Sequence, residues 1–299
     1  MRNPRLNPGA RLNPGARLNP GARLTPLVAV AHGSRDPRAA ATVTELLSVA
    51  RARAARRGMA GPDVRAAFLD HCAPSLPQVL GSVSAAGDPG TGGPAVVVPL
   101  LLTAAYHSKA DIPAQLAAAA AALHGLDVVS ARTLGPHSLL LAALERRLRE
   151  AGVAVDDAGT RAATGVVLAA AGSSDPAANA TVAELAARWA RERGWRAAVP
   201  GYASAAGPRP AEAVLALREA GAARVAVATY LLAPGYFADK IRDAALDAGA
   251  TAVSGVLGAS AEVADVVLDR YLAALAEQAG RGAHGSAVRG EPAPARARA

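Results

Sequence analysis

Val28-Ala-Val-Ala-His-Gly-Ser-Arg-Asp-Pro37 and Val167-Leu-Ala-Ala-Ala-Gly-Ser-Ser-Asp-Pro176 are one passage written twice. Each runs from a short apolar stretch into Gly-Ser-x-Asp-Pro, and the segments that follow, Thr42-Val-Thr-Glu-Leu46 and Thr181-Val-Ala-Glu-Leu185, keep the same offset of 139 residues. Further on, Leu101-Leu-Thr-Ala-Ala-Tyr-His107 matches Leu231-Leu-Ala-Pro-Gly-Tyr-Phe237, and Leu134-Gly135 matches Leu257-Gly258 before a closing helix in each half. The chain reads as a tandem duplication joined around residues 151–163.

Within the first half, short apolar runs alternate with Ala-rich amphipathic stretches. Residues 27–31, 64–69, 95–102 and 128–130 read as strands, and 38–57, 75–84, 110–123 and 139–150 as helices. Strand and helix in alternation predict an α/β fold of two tandemly duplicated lobes, each a parallel four-stranded sheet flanked by helices on both faces. Such sheets bind ligands beyond the carboxyl ends of their strands, near the point where strand order reverses.

Four segments follow from this: a low-complexity arm over 1–25, an N-terminal lobe over 26–150, a C-terminal lobe over 151–279 and a tail over 280–299. The arm repeats Arg-Leu-Asn-Pro-Gly-Ala from Arg5, Arg11 and Arg17 and decays at Arg23. A Pro-Gly pair in every unit blocks helix and sheet ladders, which predicts a flexible arm or translation from an upstream start codon. The tail is rich in Gly, Pro, Ala and Arg and is expected to lie outside the fold.

Composition narrows the function classes. Apolar residues are 52% and charged residues 19% of the 299, enough to build two cores. The net charge of +8 is carried almost wholly by arginine, with Lys109 and Lys240 the lysines. A basic surface favours anionic partners, although GC-rich coding also enriches Arg and Ala. Zinc-finger spacing, a basic helix with heptads and an aromatic RNA-binding motif are all missing, so no nucleic-acid partner is expected. Cys72 is the single cysteine, which excludes an intrachain disulfide and suits a reducing compartment. No apolar run has membrane-spanning length and the first residues form no signal-peptide core, so a soluble, cytoplasmic protein without a membrane partner is expected.

The duplication also serves as an internal control, because residues common to both halves serve the fold and residues that differ at strand ends are free to serve chemistry. The Gly-Ser-x-Asp-Pro turn is common: Gly33 and Gly172 permit a tight turn, and Asp36 and Asp175 cap the helix that Pro37 and Pro176 open. His32 faces Ala171 and His107 faces Phe237 in the comparison. Two imidazoles converging at strand ends have the chemistry to hold a divalent transition metal or to move protons. Asp70, in Ala67-Phe-Leu-Asp-His-Cys-Ala-Pro-Ser75, is a third candidate, since its counterpart stretch Gly201-Tyr-Ala-Ser204 has no carboxylate; capping a helix is the competing role. His71 and Cys72 are expected to point elsewhere along the strand. His124, His137 and His284 are expected to be non-catalytic, with His137 a candidate to line the pocket. Ser34, Arg35, Arg38, Tyr106 and Lys109 are close enough in sequence to the histidines to contact a substrate, and surface solvation is the competing role of the cations.

Taken together, His32-Gly-Ser-Arg-Asp-Pro after a first strand, Phe68-Leu-Asp with Pro74-Ser-Leu, and Pro99-Leu-Leu-Leu-Thr-x-x-Tyr-His107 followed by Asp111-Ile-Pro113 resemble the sirohydrochlorin chelatases, over about residues 26–278. The resemblance implies a chelatase-like fold and ATP-independent insertion of Co²⁺ or Fe²⁺ into sirohydrochlorin, an anionic tetrapyrrole, in siroheme or cobalamin biosynthesis. It implies a divalent metal as substrate, no nucleotide, metal-site roles for His32 and His107, and a ligand or proton-accepting role for Asp70, where the family carries a longer glutamate. The C-terminal lobe departs at all these places, which implies a degenerate copy that walls the cleft and a monomer whose lobes are related by a pseudo-twofold. One alternative is a non-catalytic cobalt, nickel or tetrapyrrole carrier, which would use the same ligands. A more remote one is a histidine phosphatase, which expects an arginine where Ala31 stands.

Overall fold

A computed structural model describes residues 25–59, 62–86, 95–105, 107–123 and 126–287. The repeat of the N-terminal arm, Tyr106, His124 and the last twelve residues of the tail lie outside the described residues. In the first half the order is β1 (Leu27–Ala31), α1 (Pro37–Arg56), β2 (Val64–Phe68), α2 (Leu76–Ala86), β3 (Ala95–Pro99), a π-helical turn (His107–Asp111) continuous with α3 (Ile112–Ala122), β4 (Val128–Ser130) and α4 (Ser138–Glu150). After the joining helix α5 (Ala158–Ala163), the second half repeats the order with β5 (Thr164–Ala170), α6 (Pro176–Arg193), β6 (Ala197–Tyr202), α7 (Pro210–Glu219), β7 (Arg224–Tyr230), α8 (Tyr236–Asp247), β8 (Ala252–Val253) and α9 (Ala261–Ala287). α9 therefore continues past Gly280, where the tail was expected to begin.

Both sheets are parallel throughout, in the orders β2-β1-β3-β4 and β6-β5-β7-β8. β1 and β5 are buried along their whole length, as central parallel strands with helices on both faces must be. β3 is shorter than its apolar run suggests. Pro99 has no N–H for the ladder, and beyond Leu100, whose N–H still reaches the Val30 carbonyl at 2.8 Å, the chain leaves the sheet.

Alternate residues divide each sheet between two cores. Val28 and Val30 of β1 pack outward with Leu76, Leu80 and Ile112 from α2 and α3, while Val167 and Ala169 of β5 pack outward with Val214 and Ile241 from α7 and α8. Leu27, Ala29 and Ala31 face the opposite way, as do Val166, Leu168 and Ala170, and both sets belong to one shared core. The last helix of each half closes the other half's sheet: α4 packs on β7, and α9 packs on β3, β4 and α1. Two halves continuous in sequence thus exchange a helix in space. Tyr271 of α9 donates to the Thr25 carbonyl at 2.6 Å, and burial pushes its hydroxyl up to about 12.

Ion pairs fix the exchanged helices. Asp265 of α9 accepts from Arg53 and from Arg57 on α1, Arg57 also reaches Asp269 at 2.8 Å, and Arg146 of α4 reaches Glu262 of α9 at 3.1 Å. Burial raises the Asp265 carboxyl, but the Arg53 hydrogen bond and the two guanidinium charges outweigh it and leave the group below the ordinary carboxylate range.

Asp265→Asn is expected to cost about 2 kcal/mol of unfolding free energy, between the values for exposed and fully buried pairs. A depressed folded-state pKa gives stability that is complete above the ordinary carboxylate value and disappears as pH falls through the folded one. Denaturation of wild type and variant at several pH values should show the gap closing in acid; a gap that persisted there would assign it to packing. In the β1–α1 turn, Gly33 has φ +93°, and a Cβ on it would stand 1.8 Å from the Asp70 carbonyl oxygen. Gly33→Ala should cost more than about 3 kcal/mol, against about 1 kcal/mol for Gly58→Ala at φ +69° in open space, both read from denaturant midpoints.

Candidate active site

The two sheets present their carboxyl ends to one cleft of about 1060 Å³. It opens where strand order reverses, between β1 and β3 in one lobe and β5 and β7 in the other.

The turn after the first strand is capped in the same way in both lobes, with Asn179 in the second also bonding the Ser173 N–H and carbonyl, at 3.0 and 2.7 Å, where the first has Ala40. Asp36 accepts from the Arg38 N–H and Asp175 from the Ala177 N–H, each at 2.9 Å, capping α1 and α6 ahead of their prolines. Ser34 Oγ accepts from the Asp36 N–H at 3.1 Å, and Ser173 Oγ from the Asp175 N–H at 3.0 Å. Gly172 has φ +84°, and a Cβ there would stand 2.0 Å from the Ser204 carbonyl oxygen, repeating the approach of Gly33 to Asp70. The turn after the second strand matches too: the Asp70 N–H donates to His32 O and the Ser204 N–H to Ala171 O, each at 2.9 Å. His71 and Ala205 share a positive φ, 61° and 58°.

On these matched backbones the side chains differ. His32 is exposed and lines the cleft, with Nδ1 3.1 Å from the Gly33 carbonyl oxygen; the other lobe has Ala171 there. His71 lines the same wall, its ring centroid 6.3 Å from that of His32, and Ala205 holds the matching turn position in the other lobe, outside the cleft lining. The alternation expected along the second strand misplaces His71, because β2 ends at Phe68 and Phe68 N–H closes a turn onto the Pro74 carbonyl at 3.0 Å. Pro74, three residues beyond His71, is the sequence signal for that turn.

Asp70 stands outside the cleft lining, 64% exposed. Its Oδ1 accepts the His71 N–H at 2.7 Å, and its Oδ2 lies 3.3 Å from His71 Nε2, so it reaches the cleft through His71. His107 opens the π-helical turn before α3, a wider winding that recurs at functional positions. Ser34 and Arg35 line the cleft. His137 caps α4, accepting the Leu139 N–H on Nδ1 at 3.2 Å; burial and the Arg270 charge hold it below the ordinary imidazole range, and it is outside the cleft lining. Among the described residues, no group of three His, Cys, Asp or Glu side chains has metal-binding geometry, and no helix is long and apolar enough to cross a membrane.

Two latches tie the lobes together beside the cleft. Lys109 Nζ meets Asp175 at 2.7 Å, and Asp239, which occupies the position of Lys109 in the second half, meets Arg38 at 2.7 Å while Arg38 also holds Asp36. Hydrogen bonds from Arg38 and from Lys109 keep Asp36 and Asp175 below the usual carboxylate range. Between the lobes, buried Tyr230 donates to the Leu102 carbonyl at 3.2 Å, and a Cβ on Gly135 would meet both groups within 2.4 Å. Burial pushes the Tyr230 hydroxyl up, which keeps it a donor.

The family model of CbiX matches residues 26–151 and 165–274, which is most of the chain and both of its halves. A curated relative, sirohydrochlorin cobaltochelatase of Priestia megaterium, is 26% identical over 214 residues, 72% of this chain and 66% of that protein, so the match spans just under two thirds of the relative's length. Among solved structures, SirB from Bacillus subtilis with Fe³⁺ superposes with a TM-score of 0.69 at 22% identity, covering 86% of this chain and 97% of that one. CbiX described as the terminal enzyme of siroheme biosynthesis in denitrifying bacteria gives 0.55 at 19% identity, covering 83% and 99%. These structures share the fold, and the match of the family model to both halves carries the conclusion: the chain belongs to the CbiX family of sirohydrochlorin chelatases.

Proposed function

We propose that the protein inserts a divalent metal, Co²⁺ or Fe²⁺, into sirohydrochlorin without a nucleotide, supplying siroheme or cobalamin biosynthesis. The observation that carries this reading is the asymmetry of two matched turns: one has His32 and His71 on the cleft wall with Asp70 behind His71, and the other has Ala171, Ser204 and Ala205 at the corresponding positions. A metallation site needs ligands on one macrocycle face and an inert support on the other. Family membership and the cobaltochelatase relative support sirohydrochlorin as the substrate class.

The reaction exchanges two pyrrole N–H protons for one divalent cation. In this reading His32 and His107 hold the incoming metal as neutral ligands, and imidazole accepts protons as the macrocycle takes the ion. Asp70, behind His71, offsets the positive charge gathered there. Arg35 and Lys109 receive substrate carboxylates, Lys109 by leaving Asp175, with Ser34 and Tyr106 beside them. The duplicate lobe supplies the second wall, so one chain makes a complete cleft and acts as a monomer in the cytoplasm. A carrier would use the same ligands but would not accelerate insertion.

Purified protein mixed with sirohydrochlorin and Co²⁺ or Fe²⁺ should change the macrocycle spectrum faster than the uncatalysed mixture; equal rates would refute the enzymatic reading. His32→Ala and His107→Ala should each lower turnover by about 10²-fold or more, while Ser174→Ala should stay within about twofold of wild type. Full turnover in either histidine variant would remove that residue from the site.

A further inference from the structure

Aromatic side chains are few in this chain, and the fold buries nearly all of those described. Phe68, Trp189, Trp195, Tyr202, Tyr230 and Tyr271 are each at most 4% exposed. Tyr236 and Phe237 break the pattern at 72% and 37% exposure, and both line the cleft. They lie side by side, ring centroids 5.7 Å apart, in the first turn of α8. Gly235 before them has φ +150°, and a Cβ on it would stand 3.8 Å from Asp36 Cβ, so the pair begins across from the turn that carries His32. Two adjacent exposed rings inside a cleft make a contiguous apolar patch of the kind that marks a ligand-binding groove.

Charge completes the patch. Lys240, one helical turn further on, places its ammonium 5.9 Å from the Tyr236 ring centroid and 3.4 Å from the Ala203 carbonyl oxygen. The two rings are tilted 50° to one another, so one can lie against a flat aromatic ligand while the other meets it by its edge, and Lys240, behind the lining, suits a ligand edged with carboxylates. Phe237 also occupies the position that His107 holds in the other half, so an imidazole on one lobe is answered by a hydrocarbon ring on its copy.

We propose that Tyr236 and Phe237 are the seat for one face of the tetrapyrrole: the C-terminal lobe binds and orients the macrocycle with one ring against its face and the other edge-on, and turns its other face to His32. This rests on the chelatase reading above and gives the second lobe a positive task in place of mere loss. The residues act on binding and leave the chemical step to the opposite wall.

The test titrates full-length wild type, Tyr236→Ala, Phe237→Ala and the double variant with sirohydrochlorin alone, following macrocycle absorbance, and then measures Co²⁺ insertion. Each single change should weaken sirohydrochlorin affinity by up to about tenfold and the pair by up to about a hundredfold, with KM rising in step and kcat within about threefold. Phe237→Trp should restore affinity, and Leu215→Ala, an exposed apolar residue outside the cleft lining, should leave it unchanged. Unaltered affinity in the double variant, with its melting temperature intact, overturns the seat while wild-type insertion upholds the chelatase reading. Conversely, a wild type that binds sirohydrochlorin through these rings but never accelerates insertion upholds the seat and refutes the enzyme.

Discussion

A parallel sheet has two apolar faces, and each must be covered before the strands are stable. In this chain each half covers the outer face of its own sheet and, with α1 or α6, part of the inner one, and depends on the other half's last helix for the rest: α4 closes on β7 and α9 closes on β3 and β4. Everything else follows from that debt. The shared core sets the two sheets with their carboxyl ends toward one cleft, and the ion pairs from Arg53, Arg57 and Arg146 to α9 hold the exchanged helix in register.

Duplication then lets the molecule compare itself with itself. Where two turns share φ values, caps and close carbonyl approaches, a difference in side chain is not a difference in folding requirement. Gly33 and Gly172, Ser34 and Ser173, and Asp36 and Asp175 are what the turn demands. His32 and His71 differ between the copies and stand together on one wall, and Asp70, directly behind, also accepts the His71 N–H of its own turn. At the third matched place the copy carries Phe237 where the first half carries His107.

The alternation of strand and helix was legible because doubly covered parallel strands are continuous apolar runs, and β1, α1, β4 and α4 fall within a residue of their expected bounds. The exchange of helices was not legible. An amphipathic stretch reports that a helix has a buried face and is silent on which sheet that face meets, as with Leu140 and Leu144 of α4. His32 was readable as a strand-end residue in a repeat that lacked it. His71 was hidden by an alternation that stops at Phe68, and the outward stance of Asp70 by its neighbours in the same motif. Ser34 and Lys109, chosen for closeness in sequence, carry local duties as well: one supports the cap, the other ties the lobes.

The exchanged helices also decide what the cleft can measure. Two sheets joined by a single core cannot swing apart without breaking that core open, because close-packed interiors resist being parted. The gap between the walls is consequently closer to a fixed gauge than to a jaw. A gauge differs from a jaw in where its spacing is set: here it is set by Leu27, Ala29 and Ala31 of one sheet and Val166, Leu168 and Ala170 of the other, deep in the core, and not by whatever enters between the walls.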